Sequence, residues 1–161
     1  MTACGAGASP AFAELFERHR GAVWGFFRRR VTDRSLAEDL SQETFVALFT
    51  AATRYEDRGA FRSYLFGIAY NVLSTHRRRP TVVSPSDVDL ARAGADSPDL
   101  DVVLRVRQAI GALDAIDRDV VLLREFEALS YAEIAAVLAI PVNTVRSRLF
   151  RARLALKEKL Q

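Results

Sequence analysis

The spacing of apolar residues is the strongest constraint on the fold of this chain, because it follows the period of an α-helix almost throughout. Outside one central stretch, apolar side chains recur three or four positions apart, which is typical of a helix with one buried face. No alternating apolar and polar run bounded by turn residues indicates a strand. The sequence therefore predicts an all-α fold. The predicted helices span residues 11–30, 33–53, 60–79, 100–113, 114–127, 131–138 and 142–160.

The stretch from Pro80 to Asp101 interrupts this pattern. It contains proline, glycine and several serines but no aromatic residue, a composition typical of a linker. We therefore predict two small helical domains, 11–79 and 102–161, joined by a flexible linker over 80–101 and preceded by a tail over 1–10. A chain of 161 residues is long enough for two domains that each bury a modest core.

Charge divides the chain in the same way. Residues 1–79 carry 12 basic and 8 acidic side chains, a net charge of +4, whereas residues 80–101 carry a net charge of −4 and residues 102–161 a net charge of +3. An acidic tether between basic domains could fold back onto them or be repelled along the path of a polyanion.

Composition excludes several classes of protein. Half of the residues are hydrophobic, which is too many for a disordered chain, and no apolar run approaches the roughly 18 residues of a membrane-spanning helix. Cys4 is the single cysteine, so an internal disulfide and a cysteine-based zinc site are both excluded. The first ten residues lack the basic start and apolar core of a secretory signal. We therefore expect a cytoplasmic protein without membrane insertion.

The C-terminal domain has the pattern of a helix-turn-helix. Ser130 and Glu133 match a capping box at the start of a short helix. The break Ala139-Ile140-Pro141 follows, and then a basic helix with a regular apolar stripe. That stripe consists of Val145, Leu149, Ala152 and Leu156.

The opposite face of this basic helix combines guanidinium, small polar and aromatic groups. At about 100° per residue, Asn143, Ser147, Phe150 and Arg151 face away from the stripe, with Arg146 at the edge. Arginine can bind guanine with two hydrogen bonds, Asn and Ser can contact base edges, and Phe can touch a thymine methyl. Arg148 and Arg153 fall at the sides, where we expect contacts with phosphates. The alternative is an ordinary solvated basic helix.

In the N-terminal domain, one helix has a second face beside its buried one. Asp39, Gln42 and Glu43 are spaced i, i+3 and i+4, and Val46 and Phe49 project beside them. A polar and aromatic strip outside the core indicates a surface for a protein partner. The alternative is an acidic first turn that offsets the helix dipole.

The next helix combines aromatic, amide and basic groups. Tyr64, Asn71, Thr75 and Arg78 line one side within about 40° of Asn71, and the helix ends in three arginines, 77–79. Such a mixture suits unstacked bases better than an intact duplex. The alternative is a surface helix with a favourable basic C-terminus.

Together these motifs resemble the extracytoplasmic-function (ECF) group of sigma-70-family RNA polymerase sigma factors. The resemblance covers residues 11–79 and 102–160 and rests on four motifs in order: Asp39-Leu40-x-Gln42-Glu43-Thr44-Phe45; Phe61-Arg62-Ser63-Tyr64-Leu65-Phe66-x-Ile68-Ala69-x-Asn71; Leu123-Arg124-Glu125-x-x-x-Leu129-Ser130-Tyr131-x-Glu133-Ile134-Ala135; and Pro141-Val142-x-Thr144-Val145-Arg146-Ser147-Arg148-Leu149-Phe150-Arg151-Ala152-Arg153.

The resemblance implies that the two domains are sigma regions 2 and 4, which direct transcription initiation without a cofactor. Region 2 would dock on the clamp coiled coil of the largest polymerase subunit through Asp39, Gln42, Glu43, Val46 and Phe49. It would recognise and melt the −10 element through Tyr64, Asn71, Thr75, Arg77 and Arg78, with a flipped base held near Asn71 and Thr75. Region 4 would bind the −35 duplex through Asn143, Thr144, Arg146, Ser147, Phe150 and Arg151, with Arg124 and Tyr131 near phosphates.

The resemblance also implies partners. Core RNA polymerase would be contacted through the clamp and through the flap of the second-largest subunit, and promoter DNA through both domains. Members of this group are commonly held inactive by an anti-sigma factor that responds to stress or envelope signals. We therefore expect a cognate anti-sigma factor.

Three residues depart from the family pattern. Ala139 and Asn143 replace glycines that are usual in the turn and at the start of the recognition helix, and Tyr64 replaces the more usual Trp. A left-handed backbone at Ala139 would cost about 1 kcal/mol. The first two replacements could alter the preferred −35 sequence.

Two other functions compete with this interpretation. A stand-alone helix-turn-helix regulator of the LuxR type would share the C-terminal pattern but would have no use for the motifs around Asp39 and Asn71. An enzyme is not supported, because the sequence contains two histidines, no glycine-rich phosphate loop, no cluster of metal ligands and no pairing of nucleophile and base. We therefore predict no catalytic residues and no metal site.

Overall fold

A computed structural model of the chain describes residues 10–51, 59–79 and 98–161. All regular elements in these ranges are helices, which confirms the all-α prediction. In chain order the helices are α1 (Pro10–Arg28), α2 (Arg34–Ala51), α3 (Phe61–Arg78), α4 (Pro98–Gly111), α5 (Ala115–Glu125), α6 (Tyr131–Leu138) and α7 (Val142–Leu160).

The helix boundaries agree with the predicted ones to within three residues wherever both ends are described. Helices α6 and α7 span the predicted residues, and α1 ends at Arg28 rather than Arg30. Helix α4 begins at Pro98, inside the predicted linker, and proline is well suited to a first helical position. The predicted tail up to residue 9 and residues 80–97 of the predicted linker lie outside the described residues.

The described residues form two compact units. The first comprises residues 10–51, 59 and 68–79, and the second comprises residues 60–67 and 98–161. This grouping divides α3 after Gly67, whereas the sequence places all of α3 in the first domain. The predicted domain boundaries therefore stay a prediction.

In the first unit, α1 and α2 pack through phenylalanines. Phe26 and Phe27 on α1 are fully buried, and each stabilises the fold by about 1.5–3 kcal/mol through removal of its ring from water. Nearer the start of α1, the rings of Phe16 and Phe45 meet edge to face with 4.7 Å between centroids. The turn after α1 is fixed by Arg28, whose guanidinium donates hydrogen bonds to the carbonyls of residues 31 and 32. The contact with Phe16 places Phe45 on the buried face of α2.

In the second unit, Arg118 joins α4 to α5. Its guanidinium donates to the carbonyls of Ile110, Gly111 and Leu113, at and just after the end of α4. Helix α7 packs on α4, α5 and α6. In the predicted apolar stripe on α7, Val145, Leu149 and Ala152 are buried. Leu156 is half-buried.

The predicted capping box at the start of α6 is confirmed. The Glu133 amide donates to the Ser130 hydroxyl (3.2 Å), and the Ser130 amide donates to the Glu133 carboxylate (2.7 Å). At its other end α6 stops at Ala139, which is left-handed with φ 53° and ψ 45°. This conformation lets the Ile140 amide bond to the carbonyl of Ala135, and it turns the chain into α7.

We expect Ala139→Gly to stabilise the second unit by about 1 kcal/mol, because glycine adopts the left-handed conformation without a Cβ clash. Urea unfolding followed by circular dichroism would measure the change. The matched control is Ala136→Gly, an exposed position inside α6, where the same substitution should destabilise by about 1 kcal/mol. Equal destabilisation by both substitutions would contradict the assigned backbone conformation.

Candidate nucleic-acid and protein-docking surfaces

The exposed face of α7 carries the residues that the sequence predicts as a DNA-reading surface. Burial of Val145, Leu149 and Ala152 turns the opposite side of the helix outward. Phe150 is 72% exposed, although burial would be the favourable state for a phenylalanine ring. A shallow depression on this face is lined by Asn143, Thr144, Arg146, Ser147, Arg148, Phe150 and Arg151. The structure thus places all six predicted −35 residues of α7 in one surface, with Thr144 half-buried.

The N-terminus of α7 also suits an anion. Pro141 occupies the capping position and offers no side-chain hydrogen bond, and the first turn contains no acidic residue. No carboxylate of the first turn therefore offsets the positive end of the helix dipole. A DNA phosphate near this turn would be favourably placed.

Arg124 and Tyr131, predicted to lie near phosphates, are close together beside the start of α6. The Arg124 guanidinium lies 5.3 Å from the centre of the Tyr131 ring and donates one hydrogen bond to the carbonyl of Leu129 (2.9 Å). A guanidinium has five N–H donors, so this one bond fixes its position and leaves donors for a phosphate.

Two other arginines of α7 have carboxylate partners that the sequence did not predict. Arg148 and Arg153 were predicted to face phosphates, but both pair with carboxylates of α5. Arg148 donates to Asp117 (2.8 Å) and Arg153 donates to Glu125 (2.7 Å). The hydrogen bond with Glu125 raises the pKa of the Arg153 guanidinium above its usual value.

Asp117 is the functional candidate that sequence reasoning missed. It lies in the first turn of α5, where a carboxylate is ordinarily read as a favourable charge for the helix dipole. Asp117 lies three and four residues before the buried Val120 and Val121. Because residues at this spacing share one helix face, the sequence could have predicted a carboxylate on the buried face. Such a carboxylate needs a charged partner.

The predicted docking residues of α2 lie together on one exposed arc. Asp39, Gln42 and Glu43 are exposed, and Val46 and Phe49 are 65% and 51% exposed. The arc is therefore polar at one end and apolar at the other.

The buried face of α2 is separate from this arc, and a buried hydroxyl on it hydrogen-bonds within the helix. Leu40 and Leu48 are buried there, and the Thr44 hydroxyl donates to the carbonyl of Leu40 (2.8 Å). No acidic residue lies in the first turn of α2. The alternative explanation, that Asp39 offsets the helix dipole from a first turn, is therefore wrong.

The predicted −10 residues lie along α3. Asn71, Thr75, Arg77 and Arg78 are exposed, whereas Tyr64 is half-buried. Arg78 donates from Nε to the carbonyl of residue 74 (3.2 Å). Four of the five share one side of the helix, since successive residues turn by about 100°. Arg77 is the exception and points to a different side.

None of the helices in the described ranges combines the length and the apolar character needed to cross a bilayer.

Comparison with known proteins matches both halves of the chain to one family. Residues 15–81 match the family model described as sigma-70 region 2, and residues 104–156 match sigma-70 region 4. These segments contain the α2, α3 and α7 surfaces described above.

Individual relatives span nearly the whole chain. It is 35% identical to the RNA polymerase sigma-H factor of Pseudomonas aeruginosa, over 94% of this chain and 86% of that protein. It is also 35% identical to the ECF RNA polymerase sigma factor SigC of Mycobacterium tuberculosis, over 83% of this chain and 75% of that protein. Among solved structures, CnrH in complex with the cytosolic domain of CnrY matches with a TM-score of 0.72 and 30% identity, over 96% of this chain and 90% of that one.

These matches do not support the alternative of a stand-alone LuxR-type regulator, because they include the region 2 segment as well as the helix-turn-helix. Region 2, region 4 and the relatives that span both lead to one conclusion: the chain belongs to the ECF group of sigma-70-family RNA polymerase sigma factors.

Proposed function

We propose that α7 of this ECF sigma factor reads the −35 element as duplex DNA, while α3 captures bases of the melted −10 element and α2 docks on core RNA polymerase. The observation that carries the proposal is the exposed face of α7, where Phe150 stands 72% exposed between arginines. Arg146 and Arg151 supply donors for guanine edges, and the Phe150 ring supplies an apolar contact for a thymine methyl.

The −10 step needs no nucleotide hydrolysis in this proposal. Unstacking a base costs a few kcal/mol, and binding of the extruded base to the protein offsets that cost. Asn71 and Thr75 are exposed on the same side of α3 and can accept and donate hydrogen bonds. The arginines at the end of α3 hold the neighbouring phosphates.

Core polymerase would be contacted at two places. The α2 arc of Asp39, Gln42, Glu43, Val46 and Phe49 would dock on the clamp coiled coil of the largest subunit. The second unit would dock on the flap of the second-largest subunit. Support comes from apolar side chains that α4 and α7 expose, among them Val102 at 48% and Leu154 at 48%.

A cognate anti-sigma factor that responds to stress is part of the proposal. It is supported by the family resemblance and by the CnrH structure, which was solved in complex with the cytosolic domain of another protein. The proposed site of action is the cytoplasm, on the nucleoid when bound to polymerase. The protein would act as an initiation factor and not as an enzyme, without a metal or cofactor of its own.

We expect Arg146→Ala or Arg151→Ala to weaken recognition of the −35 element by about 1–3 kcal/mol, while binding to core polymerase is unchanged. The measurement is the affinity of holoenzyme for promoter DNA enriched from a random pool by the wild-type protein. Lys157→Ala is the matched control, because Lys157 is an exposed cation further along α7. Loss of polymerase binding by the Arg146 variant would show that this face has been assigned wrongly.

A further inference from the structure

A carboxylate from a neighbouring helix lies beneath the DNA-reading face of α7. Asp117 in the first turn of α5 is only 8% exposed. Its Oδ1 atom accepts a hydrogen bond from Arg148 at 2.8 Å and lies 3.8 Å from the Arg151 guanidinium. Two arginines one turn apart on α7 therefore lie within ion-pairing distance of one carboxylate oxygen, and Arg148 alone donates a hydrogen bond to it.

The two arginines are held to different degrees. The Arg148 side chain is 25% exposed, whereas that of Arg151 is 61% exposed. A carboxylate removed from water needs a paired cation, and the shorter contact identifies Arg148 as that cation. Arg151 lies at the far limit of an ion pair, so it is attracted to Asp117 while most of its side chain stays exposed to solvent.

We infer that Asp117 is a positioning residue for DNA recognition, which keeps Arg148 away from phosphates and orients Arg151 toward the base edges. This inference rests on the proposed function of α7. Phosphate contacts give affinity without sequence information, and base contacts give specificity. A carboxylate that keeps Arg148 from phosphates and orients Arg151 toward base edges therefore raises the ratio of specific to non-specific binding.

The alternative is a brace that joins α5 to α7 and has no effect on recognition. The two roles differ in the salt dependence of DNA binding. Each added phosphate contact steepens the slope of log affinity against log salt concentration by about 0.9. Loss of a brace lowers the unfolding midpoint and leaves this slope unchanged in the protein that remains folded.

The test substitutes Asp117→Asn in the full chain. Binding is measured by fluorescence anisotropy over a series of potassium chloride concentrations, with a duplex enriched from a random pool by the wild-type protein and with a scrambled duplex. We expect the slope on both duplexes to steepen by about 0.9, because Arg148 is released to bind a phosphate. Affinity for the enriched duplex relative to the scrambled one should fall at least about fivefold, because Arg151 is no longer oriented toward the base edges.

Two further variants separate the cause from a change in net charge. Glu125→Gln also removes one carboxylate that pairs with an arginine of α7. Because its partner is Arg153 in a half-exposed pair, and not the base-reading Arg151, the specificity ratio should not change. Asp117→Asn combined with Arg148→Met should restore the wild-type slope, because the released cation is gone. Asp117→Glu should keep the slope and the specificity ratio within about twofold of wild type.

The possible results are distinct. If Arg151→Ala weakens recognition but Asp117→Asn leaves slope and specificity unchanged, Asp117 is only a brace and the inference fails while the proposed function stands. If no duplex is enriched, both fail. Should Asp117→Asn not fold, Arg148→Met decides, because it leaves Asp117 to pair with Arg151 alone and so draws Arg151 away from the base edges. A fall of at least about fivefold in the specificity ratio supports the inference. An unchanged ratio, as a brace would give, or a shallower slope on the scrambled duplex overturns it.

Discussion

Replacement of Asp39 and Gln42 together by alanine should weaken binding of the protein to core RNA polymerase about a hundredfold or more. Both side chains are exposed on the arc of α2 that the proposal assigns to the clamp. A minority of interface residues, clustered near the centre, cost more than 1 kcal/mol each when truncated, and a hundredfold change corresponds to about 2.7 kcal/mol. The prediction places Asp39 and Gln42 in that minority. Titration of labelled protein with core polymerase measures the effect.

The matched control for this double variant is Glu38→Ala. Glu38 is an exposed carboxylate next to Asp39 in sequence, but it forms an ion pair with Arg34 (3.2 Å) at the start of α2. Exposed pairs of this kind contribute about 0–1 kcal/mol to folding stability, so the control should stay folded. It should bind polymerase within about fivefold of wild type, because Glu38 is not part of the arc. Equal losses in both variants would assign the effect to the charge of α2 and not to the arc.

The second large effect concerns promoter opening. Replacement of Asn71 and Thr75 by alanine should lower the rate of initiation on duplex promoter about a hundredfold, because the protein would no longer offset the few kcal/mol needed to unstack a base. Both residues are exposed on α3, so the substitutions should leave the fold intact. The rate is measured by abortive transcription with holoenzyme assembled from the variant.

A promoter with a pre-opened −10 segment provides the control for this variant. On that template the unstacking cost has already been met, so the variant should initiate within about tenfold of the wild-type rate. Equal loss on both templates would contradict a role in melting. It would indicate instead that these residues support polymerase binding or a later step.

Local features of the sequence predicted local features of the structure well. The capping box at Ser130 and the stripe on α7 depend on residues within one or two helical turns, so spacing alone was sufficient. Ala139 is a further case. A family resemblance indicated a turn that usually holds glycine, and the residue has the left-handed backbone that such a turn needs.

Contacts between distant residues were not predictable in this way. Arg148 and Asp117 are 31 positions apart, and nothing in the spacing around either residue identifies the other as its partner. The helical wheel placed Arg148 at the side of α7 but could not distinguish a DNA phosphate from a carboxylate of α5. Most of the docking and base-reading residues are exposed as predicted, with Tyr64 and Thr144 half-buried, but their assignment to polymerase and promoter remains a proposal for the experiments above.

The backbone around α6 has a consequence for the evolution of promoter preference. Ala128 and Ala139, one before and one after this helix, both adopt a left-handed conformation, with φ of 54° and 53°. Glycine at either position would remove the backbone strain of the left-handed conformation and stabilise the fold by about 1 kcal/mol. Substitutions on the reading face of α7 that weaken the domain could therefore be tolerated after a single change at either flank. A change to glycine at either alanine therefore widens the set of α7 substitutions that the fold tolerates.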